Sequence, residues 1–269
     1  MKTPLVSILI ASYNKEKYLK RCLESCLKQT YKNIEIIMVD NESSDNSYLI
    51  ASKYKKIKLF KKKRIKKINK FNTFYQIDTY KYAFKKSKGT IITLLDSDDF
   101  YKKNKIKEIV NYFNKNNKKK VVFDKPIIYF NSKNKILSHD YKKKRKLISW
   151  PKFPPTSCIS IKKDFFLKLN NELSVNKFNL LTIDFRIAVI SEIAMNDFNI
   201  LNKHLTYYFQ DISGESNINF KKFSQNWWMR RMQAHKYVIY LLKKYHKFKN
   251  TKNLDYYITS FLNKLFIIK

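Results

Sequence analysis

Glycine is almost missing from this chain: Gly89 and Gly214 are the only two among 269 residues. A phosphate-cradling P-loop and a GxGxxG dinucleotide fingerprint both need several glycines close together, so both are excluded. Arginine is scarce too. Of 57 Lys+Arg, only Arg21, Arg64, Arg145, Arg186, Arg230 and Arg231 are arginine. A surface made for bidentate reading of bases or phosphates would favour arginine, so nucleic acid is not the expected partner. Cys22, Cys26 and Cys158 are odd in number and lack zinc spacing. Two of them fall on the apolar face of a predicted helix, which reads as reduced core thiols in a reducing cytoplasm. Apolar runs stay below the roughly 18–20 residues of a membrane span. The opening Pro4–Ile10 stretch runs straight into a polar turn and is too short for a signal peptide.

What is present is a chain of 44% hydrophobic and 16% aromatic residues, long enough for one real core with a small appendage. The net charge of +36 comes with abundant Lys, Asn, Ile and Tyr, the mark of an AT-rich genome's codon bias. It still draws the protein towards phosphorylated ligands and makes an anionic membrane surface a candidate partner. Against this background Asp96-Ser97-Asp98-Asp99 inverts the sign locally. Three acids in four residues repel one another unless a cation neutralises them. They come directly after Ile91–Leu95, an apolar run that reads as a buried strand, and ligands of open α/β sheets bind outside the carboxyl ends of such strands.

Val6–Ala11 and Ile34–Val39 read as two more buried strands, the second ending at Asp40, with Ile57–Phe60 as a third. Tyr18, Leu19, Cys22, Leu23, Cys26 and Leu27 recur at helical spacing after Ser12-Tyr13-Asn14, where Asn14 is the expected N-cap. Asp45 is read as the cap of a second helix, and Asp78–Lys86 as a third that ends near Gly89. Strand–helix alternation with apolar strands predicts an α/β fold with a mostly parallel sheet. The basic run Lys61–Lys70 reads as a solvated loop. Beyond it, Val121–Phe123 and Ile127–Phe130 suggest a hairpin around Asp124-Lys125-Pro126, and Leu181–Asn196 a helix. From Ser224 the signal is helical. Leu254, Tyr257, Ile258, Phe261, Leu262, Leu265 and Phe266 form an apolar stripe suited either to packing on its own domain or to a membrane.

Val6–Asn14, Leu23–Tyr31, Glu35–Asp40 and Leu95–Asp99 occur in an order and spacing that resemble the family 2 glycosyltransferases of the GT-A fold. The resemblance covers roughly residues 4–105. It implies a Rossmann-like sheet flanked by helices with a helical C-terminal extension. Residues 1–222 would be the catalytic domain, with a nucleotide-sugar half at about 1–105 and an acceptor half at 106–222. Residues 223–269 would be a basic amphipathic region.

The same resemblance implies a UDP-sugar donor lying against Ala11, Ser12, Tyr13, Asn14 and Glu16. Asp40 would accept the imide N–H of uracil, since an ionised carboxylate only accepts. Asp78, in Gln76-Ile77-Asp78, would also face the nucleotide. Asp96 would approach the ribose, beside Ser97. Asp98 would hold Mn²⁺ or Mg²⁺ against the diphosphate, with Asp96 as second choice and Asp211 as a weaker one. Asp99 would orient Asp98 or cap the next element, and His204 would be structural. Asp184 would be the general base of an inverting transfer to a glycan or glycolipid acceptor. Departures from the family pattern are Asn41, Glu42, Ile183 in place of the usual Glu, and no arginine just upstream of Gly89, which leaves a Lys or Tyr to face the diphosphate. They make a non-catalytic nucleotide- or glycan-binding relative the alternative.

Overall fold

The apolar runs of the first hundred residues pair side by side in a computed structural model that describes residues 3–64, 72–130, 133–135, 141, 150–173, 178–210, 219–246 and 252–267. Val6–Ser12 (β1) lies parallel between Ile34–Asp40 (β2) and Ile91–Asp96 (β4), and Ile57–Lys61 (β3) extends the sheet parallel to β2. The second half adds Phe100–Tyr101 (β5), Val121–Phe130 (β6), Lys133–Lys135 (β7), Ile159–Lys162 (β8) and Ile200–Phe209 (β9). The order is β3-β2-β1-β4-β8-β6-β9-β5, with β7 on β6. Strands β1–β4 are all parallel, whereas β8 runs antiparallel to both β4 and β6.

Strand side chains alternate between two faces, and both faces are covered, which is why the strands read as unbroken apolar runs. Val6, Ile8 and Ile10 meet Leu19, Leu23 and both buried thiols of Glu16–Leu27 (α1), together with Ile106, Ile109 and Phe113 of Lys105–Lys115 (α4). Leu9, Ile37, Val39 and Leu94 meet Ile77, Tyr80 and Phe84 of Asn72–Lys86 (α3) on the other side. That second cluster continues through Lys163–Leu173 (α5), Ile183–Val189 (α6) and Gln225–His246 (α7). A π-helical turn, Ile190–Ala194, comes directly after α6. Ser47–Ser52 (α2) and Leu254–Ile267 (α8) are the remaining α-helices among the described residues. Each fully buried Leu or Ile contributes about 1.5–3 kcal/mol, so the two faces anchor the strand ends firmly.

Gly89 is fixed by space. A Cβ there would lie 2.5 Å from Ser7 Oγ and 2.7–2.8 Å from the backbone of Ser7 and Leu5. The chain thus passes from α3 into β4 hard against β1, and Ser7 and the buried Glu35 both accept the Gly89 N–H.

The hairpin expected around Asp124-Lys125-Pro126 does not form. Residues 121–130 are one strand, and the register on β9 shifts on either side of Lys125. That irregularity accommodates the N–H that Pro126 lacks. Asp124 is buried against Lys105, with Nζ 2.9 Å from its carboxylate, and so is not a turn residue.

Candidate functional site

Ladder register places Ser12 beside Asp40 and Ala11 beside Asp96, so the carboxyl ends of three adjacent strands open on one crevice. The turn after β1 is made by Asn14, which adopts the left-handed conformation (φ 51°) that Asn tolerates better than most residues. Asn14 is therefore not the N-cap of α1. Its side-chain oxygen accepts the Ser44 N–H at 2.8 Å and its amide donates to Ser44 Oγ at 3.2 Å. The first N–H groups of α1 are satisfied from the neighbouring turn instead. Glu16 N–H donates to Asp45 Oδ2 at 3.0 Å and Lys15 N–H to Ser47 Oγ at 2.8 Å. Asp45 also accepts Ser47 N–H at 2.9 Å, so it serves the starts of both helices. Glu16 completes the staple by accepting the Asn46 N–H and side-chain amide at 3.0 and 2.9 Å. Its carboxylate is thereby committed to the turn.

Asp40 is fully buried and oriented by Ser43, whose hydroxyl and N–H reach its two oxygens at 2.6 and 3.0 Å. Tyr13 is exposed, and the Arg64 guanidinium stacks between it and Tyr75, 3.8 and 4.0 Å from the two ring centroids. Lys62 pairs with Asp78, and its backbone N–H donates to the Asp40 carbonyl at 2.8 Å. The segment after β3, read as a solvated loop, therefore delivers Lys62 and Arg64 to the crevice. The available signal was position: both lie just past the carboxyl end of a parallel strand.

The acidic knot divides its labour. Asp96 accepts Gln76 Nε2 at 2.9–3.0 Å and the Tyr80 hydroxyl at 2.8 Å. Burial, then the charge of Asp98, push its carboxyl up to about 7, against the pull of those two donors. Asp184 adds to the upward shift, which brings the two halves of the crevice within electrostatic reach. Ser97 is buried, and its N–H donates to the Ala11 carbonyl at 3.2 Å. Asp99 is buried, accepts the Ser157 hydroxyl and takes Phe209 N–H at 2.7 Å. Burial raises its carboxyl well above the usual range, with Asp98 and Asp96 adding to it. Asp99 thus fastens the turn to β9. Asp98 keeps a partly exposed side chain and pairs with Lys15 at 2.7 Å. Its backbone is fixed from the other side, since Arg21 donates to the Asp98 carbonyl at 3.2 Å while stacked on Phe100 and Tyr129.

Asp184 stands in the first turn of α6, partly buried, and accepts the Phe185 N–H at 2.7 Å. Burial raises its carboxyl, opposed by Thr182 and by the positive charge of Arg230. Ile183, where the family usually has Glu, is fully buried in the core. Arg186 is spent on structure, donating to the Leu173 and Phe178 carbonyls at 3.0 and 2.6 Å. His204 has its Nδ1 3.0 Å from the Pro126 carbonyl. Asp211 lies outside the described residues.

Sequence reading missed Tyr208 and Arg230. Burial raises the Tyr208 hydroxyl first, and then the charges of Asp99, Asp98, Asp184 and Asp96 all act on it, so it sits among the four acids. Arg230 reaches in from α7 towards Thr182 Oγ1 at 3.4 Å. Neither lies in a recognisable motif. Among the described residues no cluster of three His, Cys, Asp or Glu forms a complete metal cage. The donor set nevertheless fits a hard divalent cation: one accessible carboxylate, beside a second that burial and like charge have left short of counter-charge. Such ions commonly use one or two carboxylates and complete their shell with substrate phosphates.

The glycosyl transferase family 2 model matches residues 7–171. The chain is 37% identical over 105 residues to glycosyltransferase GlyG of Streptococcus pneumoniae, covering 39% of this chain and 34% of that one. It is 38% identical over 105 residues to putative glycosyltransferase EpsH of Bacillus subtilis, covering 37% and 28%. The chain thus matches about a third of the length of these relatives. In structure it resembles S. aureus TarS 1-349 in complex with UDP-GlcNAc, with a TM-score of 0.60 at 16% identity over 97% of this chain and 71% of that one. Mannosyltransferase PcManGT from Pyrobaculum calidifontis, in complex with GDP-Man and Mn²⁺, gives 0.52 at 12% identity over 96% and 70%. With its GT-A sheet and the family model spanning more than half of its residues, the chain belongs to glycosyl transferase family 2.

Proposed function

We propose that this protein transfers a sugar, with inversion, from a UDP-sugar to a hydroxyl of a bacterial surface glycan or lipid-linked acceptor. One observation carries the reading. Asp40 at the end of β2, Asp96 and Asp98 at the end of β4 and in the turn after it, and Asp184 on α6 converge on a single crevice, and the charges of the last three act on Tyr208. Residues 1–105 would hold the donor, with uracil on Asp40 and the ribose towards Asp96. Tyr13, Asp78, Lys62 and Arg64 would line the nucleoside side. Residues 106–222 would present the acceptor.

Asp98, with Asp96 behind it, would hold Mn²⁺ or Mg²⁺ against the diphosphate. When bound, that ion supplies Lewis-acid stabilisation of the departing nucleoside diphosphate. Asp184 is the base. Its carboxylate takes the acceptor hydroxyl proton as that oxygen bonds the anomeric carbon and the bond to UDP breaks. A carboxyl raised by burial is better matched to such a proton than an exposed one. The positive charge of Arg230 beside it opposes that rise.

Residues 223–269 would bring the enzyme to an anionic membrane surface. Leu254, Tyr257, Ile258, Phe261 and Leu265 of α8 are 46–62% exposed, and Asp255, the acid of this helix, is paired with Arg231 at 2.6 Å. No helix among the described residues is long and apolar enough to cross a membrane. The reading is tested by UDP release from a panel of UDP-sugars with Mn²⁺ and hydroxyl acceptors. Asp98→Ala should lower turnover by about 10³-fold or more with its melting temperature unchanged. Full turnover in that variant would refute the role given to Asp98. A protein that binds UDP yet turns over no donor with any acceptor would favour a binding module instead.

A further inference from the structure

Lys15 stands in the turn between β1 and α1, with its backbone N–H on Ser47 and its ammonium 2.7 Å from Asp98 Oδ2. This is the carboxylate assigned to the metal. An ammonium and a divalent cation cannot share it closely, because each needs the same oxygens and they repel each other. A lysine here is otherwise poorly placed, since the start of a helix disfavours positive charge. Both side chains are partly exposed, 33% and 23%, so the pair is exchangeable. The fully buried Lys105–Asp124 pair, 0% exposed on both sides, is locked by comparison. Lysine also suits exchange chemically: it is a point charge on a flexible stem, free to swing between two anions. The backbone of Asp98 is held independently of Lys15, by the Arg21 guanidinium.

We infer that Lys15 is the resident counter-ion of Asp98 and is handed over to the diphosphate of the donor when the divalent cation arrives, so that metal and nucleotide are taken up together. This rests on the donor and metal reading above and adds to it a residue and a coupling between the two ligands. Metal alone would have to displace Lys15 into water from a site that offers too few carboxylates to compensate. With a nucleoside diphosphate present, Lys15 gains an anionic partner and the metal gains phosphate oxygens. The coupling is reciprocal: UDP tightens Mn²⁺ by the same factor by which Mn²⁺ tightens UDP.

The test is Mn²⁺ titration of the full chain, monitored by electron paramagnetic resonance, with and without UDP. Calorimetric UDP titration runs in parallel. Lys15→Gln should bind Mn²⁺ about tenfold more tightly without UDP and UDP several-fold more weakly with Mn²⁺, cutting the coupling by about tenfold or more. Lys15→Arg should keep part of the coupling. Unchanged affinities in Lys15→Gln would overturn the inference alone, leaving the metal reading intact. Tighter Mn²⁺ with unaltered UDP would also overturn it, because Lys15 would then only obstruct. If the wild type takes up no Mn²⁺ even with UDP, or Asp98→Ala takes it up equally, the metal reading fails and the handover with it.

Discussion

Asp40 and Asp96 stand at the ends of strands held to either side of β1 by two parallel hydrogen-bonded ladders, whereas Asp184 stands on a short helix among residues from β9 and α7. Around Asp40 and Asp96, backbone register alone decides which side chains meet. Around Asp184 the same proximity depends on how α6, β9 and α7 pack around Ile183, Phe185 and Tyr237. A ladder transmits position through repeating geometry, so it survives large changes in flanking sequence. A packed corner transmits it through volume and shape, where a single methylene is felt. Under the proposed function, the ladder-built wall would be the generic nucleotide cradle and the packed corner the place where acceptor chemistry can diverge.

The sharpest way to break this comparison is Asp184→Asn. It keeps the shape and the Phe185 N–H contact but removes the basic oxygen. Turnover should fall by about 10²–10⁴-fold while UDP affinity stays close to wild type. The pH profile gives a second reading. A base must be deprotonated, so the wild-type rate should fall as pH drops through the Asp184 pKa, which burial raises from its ordinary value. That acid limb should vanish in the Asn variant. Full activity in Asp184→Asn would mean that the packed corner does not hold the base.

The same contrast explains what could be read from the chain. Val6–Ala11, Ile34–Val39 and Ile91–Leu95 announce buried strands, and an acid at the end of such a strand has only one place to be. Asp40 and Asp96 were therefore legible, and so was their convergence with Tyr13. Lys62 and Arg64 were hidden inside a lysine-rich run that composition made look like solvent. Tyr208 and Arg230 could not be found from spacing, because nothing in a sequence encodes which helix face docks beside a strand more than a hundred residues earlier. The mistaken hairpin has a similar cause. Asp124-Lys125-Pro126 has turn chemistry locally, but the buried Lys105 ammonium lies within 2.9 Å of Asp124 and holds it in the sheet. Asn14 failed as a cap because Asp45 and Ser47, in another turn, reach the same N–H groups first.

Asp96 offers a smaller effect that sharpens the donor side. Its carboxyl is raised from 3.8 to about 7 in the folded protein. Between those values the native state binds more protons than the unfolded chain, so this group's contribution falls as pH rises through the window and is constant above it. Asp96→Asn carries no charge and escapes that loss. It should match or trail the wild type near pH 4 and gain on it by about 4 kcal/mol by pH 8, measured by urea unfolding at each pH. Adding Mn²⁺ with UDP should recover part of the wild-type loss, because a cation beside Asp96 favours its ionised form. A difference that is flat with pH would mean that the burial and like charges around Asp96 do not act on it as the geometry implies.

The smallest expected effect on stability is at α8, which belongs to neither wall. Phe261 and Leu265 are 62% and 46% exposed, so replacing both with Asp removes little packing and should change unfolding by about 0.5 kcal/mol or less. The same change puts two negative charges on the apolar stripe, next to exposed Lys264. If that stripe rests on lipid, an interface that gains from buried apolar area and from lysine attraction to anionic headgroups loses both at once. Co-sedimentation with vesicles rich in phosphatidylglycerol should fall several-fold, while turnover on a short soluble acceptor stays at the wild-type level. Binding that persists in the double variant but is abolished by 0.5 M salt would assign membrane contact to the lysine-rich surface alone. Loss of self-association without loss of vesicle binding would identify the stripe as a contact between copies of this chain.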